Sequence, residues 1–338
     1  MILNEREREI LQLVVESYTD GAQPIGSRFL AKRHALPYSP ATIRNVMMDL
    51  EDRGLLQQPH TSAGRVPTDA AYRYYLDQLM PAPELSPAEQ ESIARALDLS
   101  GHEMHRVLEE ATRVLGWVSH QLGLAVAPSF ESGVLADLRF VEGGSNRAVL
   151  VVSITSGLVR SILLEFPCTL DAADLERAGA LLRERLVGLS LREARDSIAT
   201  RLGAAGKPIG AIEQEVVRCA PRIFEFSEPG ELHWGGTAEI VSQPEFREPE
   251  RIRGLIELLE QREPLAHSLL EQAPAGSVQV SIGQENRHEA MASFSLIRFT
   301  YESRGGAGAI GLLGPTRMRY SKMVSAVEFI GRRLERMF

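Results

Sequence analysis

Apolar positions recur at helical spacing through the first eighty residues. Over 5–18, Ile10, Leu11, Val14 and Tyr18 form one stripe, and the acidic first turn complements the positive end of a helix dipole. Asp20-Gly21 closes that helix, and a short second one is predicted over 28–34, after Ile25-Gly26-Ser27. The connection Ala35-Leu36-Pro37-Tyr38 is tight, and Pro37 stops helix continuation. Ser39 is an N-cap candidate and Pro40 suits the first helical position. From there Ile43, Val46, Met47 and Leu50 point inward, leaving Ala41, Thr42, Arg44, Asn45 and Met48 on the opposite face. Arg53-Gly54 ends this third helix, 55–58 reads as a strand, 59–64 as a turn and 65–67 as a returning strand. Two short helices joined this closely and followed by a hairpin predict a winged helix-turn-helix. Thr68 caps a further helix over 69–80, with Tyr72, Tyr75, Leu76 and Leu79 inward.

Pro81-Ala82-Pro83-Glu84-Leu85-Ser86-Pro87 is the clearest boundary in the chain. Helices are predicted over 88–99 and 103–124. The pattern then changes to period two over 135–141, 148–154 and 158–166, an antiparallel meander. Helices over 171–187, 191–202 and 212–226, a small hairpin over 232–240 and a helix over 249–260 precede strands at 277–282, 292–301 and 307–313 and a terminal helix at 318–337. Strands, a helical block and strands again predict an α+β domain carrying a mostly helical insertion.

At 338 residues, two or three domains are expected. The 44% apolar and 24% charged fractions are those of a globular protein. No apolar run nears the roughly 18 residues of a membrane span. The charged start Asn4-Glu5-Arg6-Glu7 is unlike a signal peptide. The only cysteines, Cys168 and Cys219, have no metal spacing, so a reduced, cytoplasmic protein is expected. Charge adds one point. The chain is acidic overall, net −8, yet 22–48 holds Arg28, Lys32, Arg33 and Arg44 and no acid. A basic window coinciding with a helix-turn-helix suggests a surface facing phosphates. On this reading Thr42, Arg44 and Asn45 contact bases or lie near them, Arg suiting guanine and Asn adenine. Ser27, Arg28, Lys32, Arg33 and Ser39 hold the backbone, and His60, Thr61, Ser62 and Arg65 act from the wing. Arg73 and Tyr74 lie off the buried stripe and are expected to pack against the wing, backbone contact being the alternative.

Four runs, Pro24-Ile25-Gly26-Ser27-Arg28, Ser39-Pro40-Ala41-Thr42-Ile43-Arg44-Asn45, His60-Thr61-Ser62-Ala63-Gly64-Arg65-Val66-Pro67-Thr68 and Tyr72-Arg73-Tyr74-Tyr75, resemble the HrcA family of heat-inducible transcription repressors. The resemblance continues through Gln243-Pro244-Glu245-Phe246, Ile282-Gly283-Gln284-Glu285-Asn286 and Gly314-Pro315-Thr316-Arg317-Met318-Arg319-Tyr320, and departs at Val46-Met47-Met48 and Ala70-Ala71. It implies a winged-helix DNA-binding domain (1–80), a linker (81–102), and a GAF-like domain in two parts (103–170 and 264–338) around an inserted dimerisation domain (171–263). It also implies a homodimer, an inverted-repeat operator (the CIRCE element) in double-stranded DNA upstream of chaperone operons, modulation by the GroE chaperonin, and no cofactor.

Other motifs are weaker. Gly306-Ala307-Gly308-Ala309-Ile310-Gly311 fits the dinucleotide pattern by count, but a strand rather than a helix follows it. His102 and His105 lie one turn apart on a helix with Glu103 and Glu109 nearby, a spacing that allows metal binding, but no Cys or further His cluster joins them and surface residues are the expected reading. Arg317 and Arg319 are expected to pair with nearby acids beside a Thr316 cap, anion binding at the helix start being the alternative, and Glu285-Asn286 to form a turn. The alternatives to a repressor are a metabolite-gated regulator sensing through the GAF-like domain and, more distantly, a nucleotide-dependent enzyme with an appended winged helix.

Overall fold

The computed structural model describes residues 2–60, 63–81, 85–99, 103–128, 133–155, 157, 159–203, 210–224, 231–271, 276–303 and 306–338. Helix α1 (Glu5–Gly21) opens on a capping box, in which Asn4 accepts from the Glu7 amide at 3.0 Å and Glu7 accepts from the Asn4 amide at 2.9 Å. Helix α3 (Pro40–Asp52) packs on α1 and on α2 (Ser27–Arg33). Strands β1 (Leu56–Gln57) and β2 (Val66–Pro67) pair antiparallel as the wing's base. Helix α4 (Asp69–Tyr74) is capped by Thr68 and widens into a π-helical segment over Tyr75–Leu79. The winged helix expected over the first eighty residues is the observed one.

Helices α5 (Pro87–Leu99) and α6 (Met104–Ser119) lead into strand β3 (Leu122–Val126). The helix predicted to 124 instead stops at His120, which is left-handed at φ 55°. All five β3 residues are buried because helices cover both faces of its sheet. A strand covered on both sides is an unbroken apolar run, which periodicity does not distinguish from helix.

Strands β4 (Leu135–Gly144), β5 (Arg147–Ile154) and β6 (Val159–Glu165) form their own antiparallel sheet, and α7 (Ala172–Leu186) packs against β4. Helices α8 (Leu191–Gly203) and α9 (Ala211–Phe224) complete this unit. From residue 135 on, the segment expected in the sheet domain therefore lies in the inserted unit. The chain returns as β7 (Leu232–Gly235), then α10 (Thr237–Val241), α11 (Pro249–Glu260), α12 (Glu263–Leu270), β8 (Val278–Ile282), β9 (Phe294–Ser303), β10 (Gly306–Pro315) and α13 (Tyr320–Met337). The hairpin expected over 232–240 is a single strand and a helix, turned by Gly236 at φ 87°.

The larger sheet runs β7-β3-β10-β9-β8, with every pairing antiparallel. Ala125, Ile310 and Leu312 face a core with Val107 and Leu108 of α6 and Val327 and Ile330 of α13. Leu122, Leu124 and Leu313 face the opposite core with Ile240, Leu255 and Leu265. This α+β arrangement is compatible with a GAF-like domain. The chain leaves the sheet after Val126 and rejoins it at Leu232, and those two residues are register partners. No helix among the described residues is long and apolar enough to cross a membrane.

Candidate DNA interface

Helix α3 is built as its residues dictate. Ser39 Oγ accepts from the Thr42 amide at 3.1 Å and lies 2.9 Å from Thr42 Oγ1, so both hydroxyls are engaged at the cap. Ile43, Val46, Met47 and Leu50 are buried against α1, α2 and β1. Arg44, Asn45 and Met48 are exposed and Thr42 is half-buried. The turn before α3 is fastened to α1 twice: Tyr38 donates to Glu9 at 3.1 Å, and His34 Nε2 lies 3.2 Å from Ser17 Oγ. Left-handed Ala35 (φ 46°) lets the chain reverse between the two helices.

On α2, Leu30 is the buried anchor. Arg28 and Lys32 are exposed, and neither they nor Arg44 form an ion pair with a described residue. Arg33 lies over the Phe29 ring and 3.3 Å from Asp20, and Ser27 is half-buried at the helix start. Phe29 and Met48 add exposed apolar surface on α2 and α3.

His60 is exposed in the β1–β2 turn; Thr61 and Ser62 lie outside the described residues. Arg65 departs from the expected role. Its side chain is 13% exposed and its guanidinium pairs with Glu51 at 2.6 and 2.8 Å, while its backbone exchanges two hydrogen bonds with Ile25 at 2.8 and 2.9 Å. Arg65 thus joins the wing to α3 and to the start of α2. Nothing local in the sequence couples it to Glu51, fourteen residues earlier. Gly64 beside it is required: a Cβ there would lie 2.4 Å from the Ile25 carbonyl oxygen.

A seam of charged groups holds the winged helix to the sheet domain. Arg73 donates to both carboxylate oxygens of Glu285 and, at 2.6 Å, to the Val280 carbonyl, so it packs neither on the wing nor toward DNA. Burial pushes the Glu285 carboxyl up, but the Arg73 hydrogen bond, the Ile282 amide and the Arg73 charge together outweigh it, and its pKa is lowered. Asp69 accepts from the Gln284 amide at 3.2 Å. Arg317 pairs with Glu245 and donates to the Thr19 carbonyl at 2.6 Å, and Arg319 pairs with Asp20 at 3.1 Å. Thr316 makes no cap, since α13 starts four residues later and Thr316 offers only its carbonyl, to the Tyr320 hydroxyl. Asn286 closes its turn by donating to the carbonyls of Gly283, Met291 and Phe294. The glycine run 306–311 belongs to β10, inside the sheet, where Gly308 makes room for the Tyr301 ring. No helix start follows it, so it lacks the geometry of a dinucleotide turn.

A capped helix with a buried inner face and an exposed Arg44 and Asn45 on its outer face, paired to a second helix and a wing, defines a DNA-binding protein of the winged helix-turn-helix class. Residues 2–79 match the family described as winged helix-turn-helix transcription repressor, HrcA DNA-binding, and residues 105–324 match the HrcA protein C terminal domain. The chain belongs to the HrcA family of heat-inducible transcription repressors. It is 35% identical over 337 residues to the heat-inducible transcription repressor HrcA of Symbiobacterium thermophilum, covering 99% of both chains. It is 37% identical to that of Chlorobium phaeovibrioides, covering 97% of this chain and 95% of the relative. A crystal structure described as a hypothetical protein shares the fold, with a TM-score of 0.74 at 21% identity, covering 100% of this chain and 99% of the other.

Proposed function

We propose that the chain acts as a homodimer that reads an inverted-repeat operator of the CIRCE type and represses chaperone operons. The observation that carries this reading is the outer face of α3, where Arg44 and Asn45 are exposed and Arg44 has no ionic partner among the described residues. With Thr42 they contact base edges in the major groove. Arg28, Lys32 and Arg33, with Ser27 and Ser39, hold phosphates. His60, with its sequence neighbours Thr61 and Ser62, contacts the flanking backbone, while Arg65 contributes by fixing the wing. A two-fold dimer carries two such helices and therefore requires two half-sites.

The GroE chaperonin modulates activity by assisting assembly. The sheet domain closes only when β7 finds β3 across an insertion of roughly one hundred residues, a closure entropy of about 4 kcal/mol before any constant. Such discontinuous domains fold slowly and expose apolar surface on the way. Footprinting on an inverted-repeat promoter, at two salt concentrations and with and without chaperonin, tests the whole reading. Protection of both half-sites, weaker at high salt and raised by chaperonin, is expected. Protection without symmetry, or none, refutes it.

The metabolite-gated alternative has one supporting feature, a polar cleft of about 540 Å³ at the seam, lined in part by Tyr18, Thr68, Arg251 and Arg317. A thermal-shift screen with small anions tests it, and an unshifted midpoint throughout counts against it.

A further inference from the structure

Strand β7 forms one edge of the larger sheet, and its register fixes which way its side chains point. Leu232, opposite Val126, enters the core under α10–α12. The period-two alternation turns Glu231 and His233 to the other face, where α6 crosses. There they meet His105, in the first turn of α6. His105 Nδ1 lies 3.6 Å from Glu231 Oε1, and the two imidazole rings stand 5.5 Å apart at 66°. One donor atom from each residue lies within 4.8 Å of the other two. His233 is only 9% exposed, and its Nε2 has no hydrogen-bond partner among the described residues.

That orphan nitrogen decides between two readings. An ordinary polar cluster would satisfy a buried ring nitrogen with a donor or acceptor, because leaving it unmade costs its desolvation with nothing in return. A metal ligand keeps the nitrogen free for the ion. We infer that His105, Glu231 and His233 form a binding site for a divalent transition-metal ion of the zinc class. Two imidazole nitrogens and one carboxylate oxygen are a zinc donor set with a fourth position open to water, whereas calcium and magnesium select oxygen ligands. A tetrahedral ion at about 2.1 Å from its ligands holds them about 3.4 Å apart. The three donors therefore close by little more than an ångström, within the reach of side-chain rotation.

The position gives the ion a structural task. It bridges α6 to the strand on which the chain re-enters the sheet from the insertion, so it staples the edge where the two parts of the domain meet. An ion bound only by the folded state raises its stability by mass action.

The test uses the full chain, stripped with chelator and titrated with Zn²⁺ against a chromophoric competitor, with Co²⁺ as a spectroscopic probe. Expected are one Zn²⁺ per chain, an intense tetrahedral Co²⁺ spectrum, and a thermal midpoint that rises with Zn²⁺. His105→Gln, at a half-exposed position that leaves the core intact, and Glu231→Gln should each weaken Zn²⁺ by about 100-fold, at least as much as losing an outer-shell partner costs, and abolish the thermal shift. His267→Gln, beside the unrelated His288 ring, should change nothing. Stoichiometric binding that survives in natively folded His105→Gln, or no binding by the wild-type chain at micromolar Zn²⁺, overturns the assignment.

Discussion

Substituting Gly64 by Ala isolates the contribution of the wing's anchorage. The new Cβ would lie 2.4 Å from the Ile25 carbonyl oxygen, 2.5 Å from its carbon and 2.8 Å from its nitrogen. All three are backbone atoms, so no side chain can swing away. The bridge between Ile25 and Arg65 must open, losing hydrogen bonds of 2.8 and 2.9 Å. Each contributes about 0.5–1.5 kcal/mol net, so the cost is about 1–3 kcal/mol. For a winged-helix domain of about 80 residues, each kcal/mol lowers the melting midpoint by roughly 4–8 °C. Operator affinity should fall too, because Ser27 and Arg28 lie only two and three residues beyond Ile25. Gly21→Ala is the control, since nothing lies within 4 Å of that position. Differential scanning calorimetry and a gel-shift titration read both effects. A Gly64→Ala chain that melts and binds like the Gly21→Ala chain would refute the packing argument.

Arg44→Ala should cost roughly 1–3 kcal/mol of operator binding and relax specificity at one base pair, whereas Lys32→Ala should weaken all sequences alike and reduce the salt slope by about 1; filter binding at several salt concentrations separates the two. Arg65→Ala should destabilise the winged helix by about 1 kcal/mol, read by denaturant unfolding, because it unpairs the partly buried Glu51, and a variant losing affinity with unchanged stability would restore Arg65 to direct DNA contact. The lowered carboxyl of Glu285 contributes stability above the ordinary value of 4.5 and loses it as pH falls through the lowered folded value. Hydrogen-exchange protection over 69–77 and 280–286 should therefore drop below about pH 4.5 in the wild type and be weaker, with less pH dependence, in Glu285→Gln.

The winged-helix part of the chain is legible in the sequence because its signals are local. The cap at Ser39, the proline behind it and the spacing of Ile43, Val46, Met47 and Leu50 fix α3 and its outer face within a dozen residues. What was not legible depends on distant partners. Strand β3 hides in an apolar run because its second covering layer, α10–α12, arrives more than a hundred residues later. The pairing of Arg73 with Glu285 spans 212 residues. His105 has a neighbouring histidine in sequence, yet its partners, Glu231 and His233, lie beyond the whole insertion. Arg65 looks like a wing-tip cation until Glu51 is seen beside it.

Because Val126 and Leu232 sit side by side on neighbouring antiparallel strands, a tight reverse turn of a few residues has the right span to join them directly. The lobe between them leaves and re-enters the sheet at one register pair, so the strand ladder does not fix its length. A shortened protein with that turn in its place would keep a complete sheet beneath the DNA-reading head.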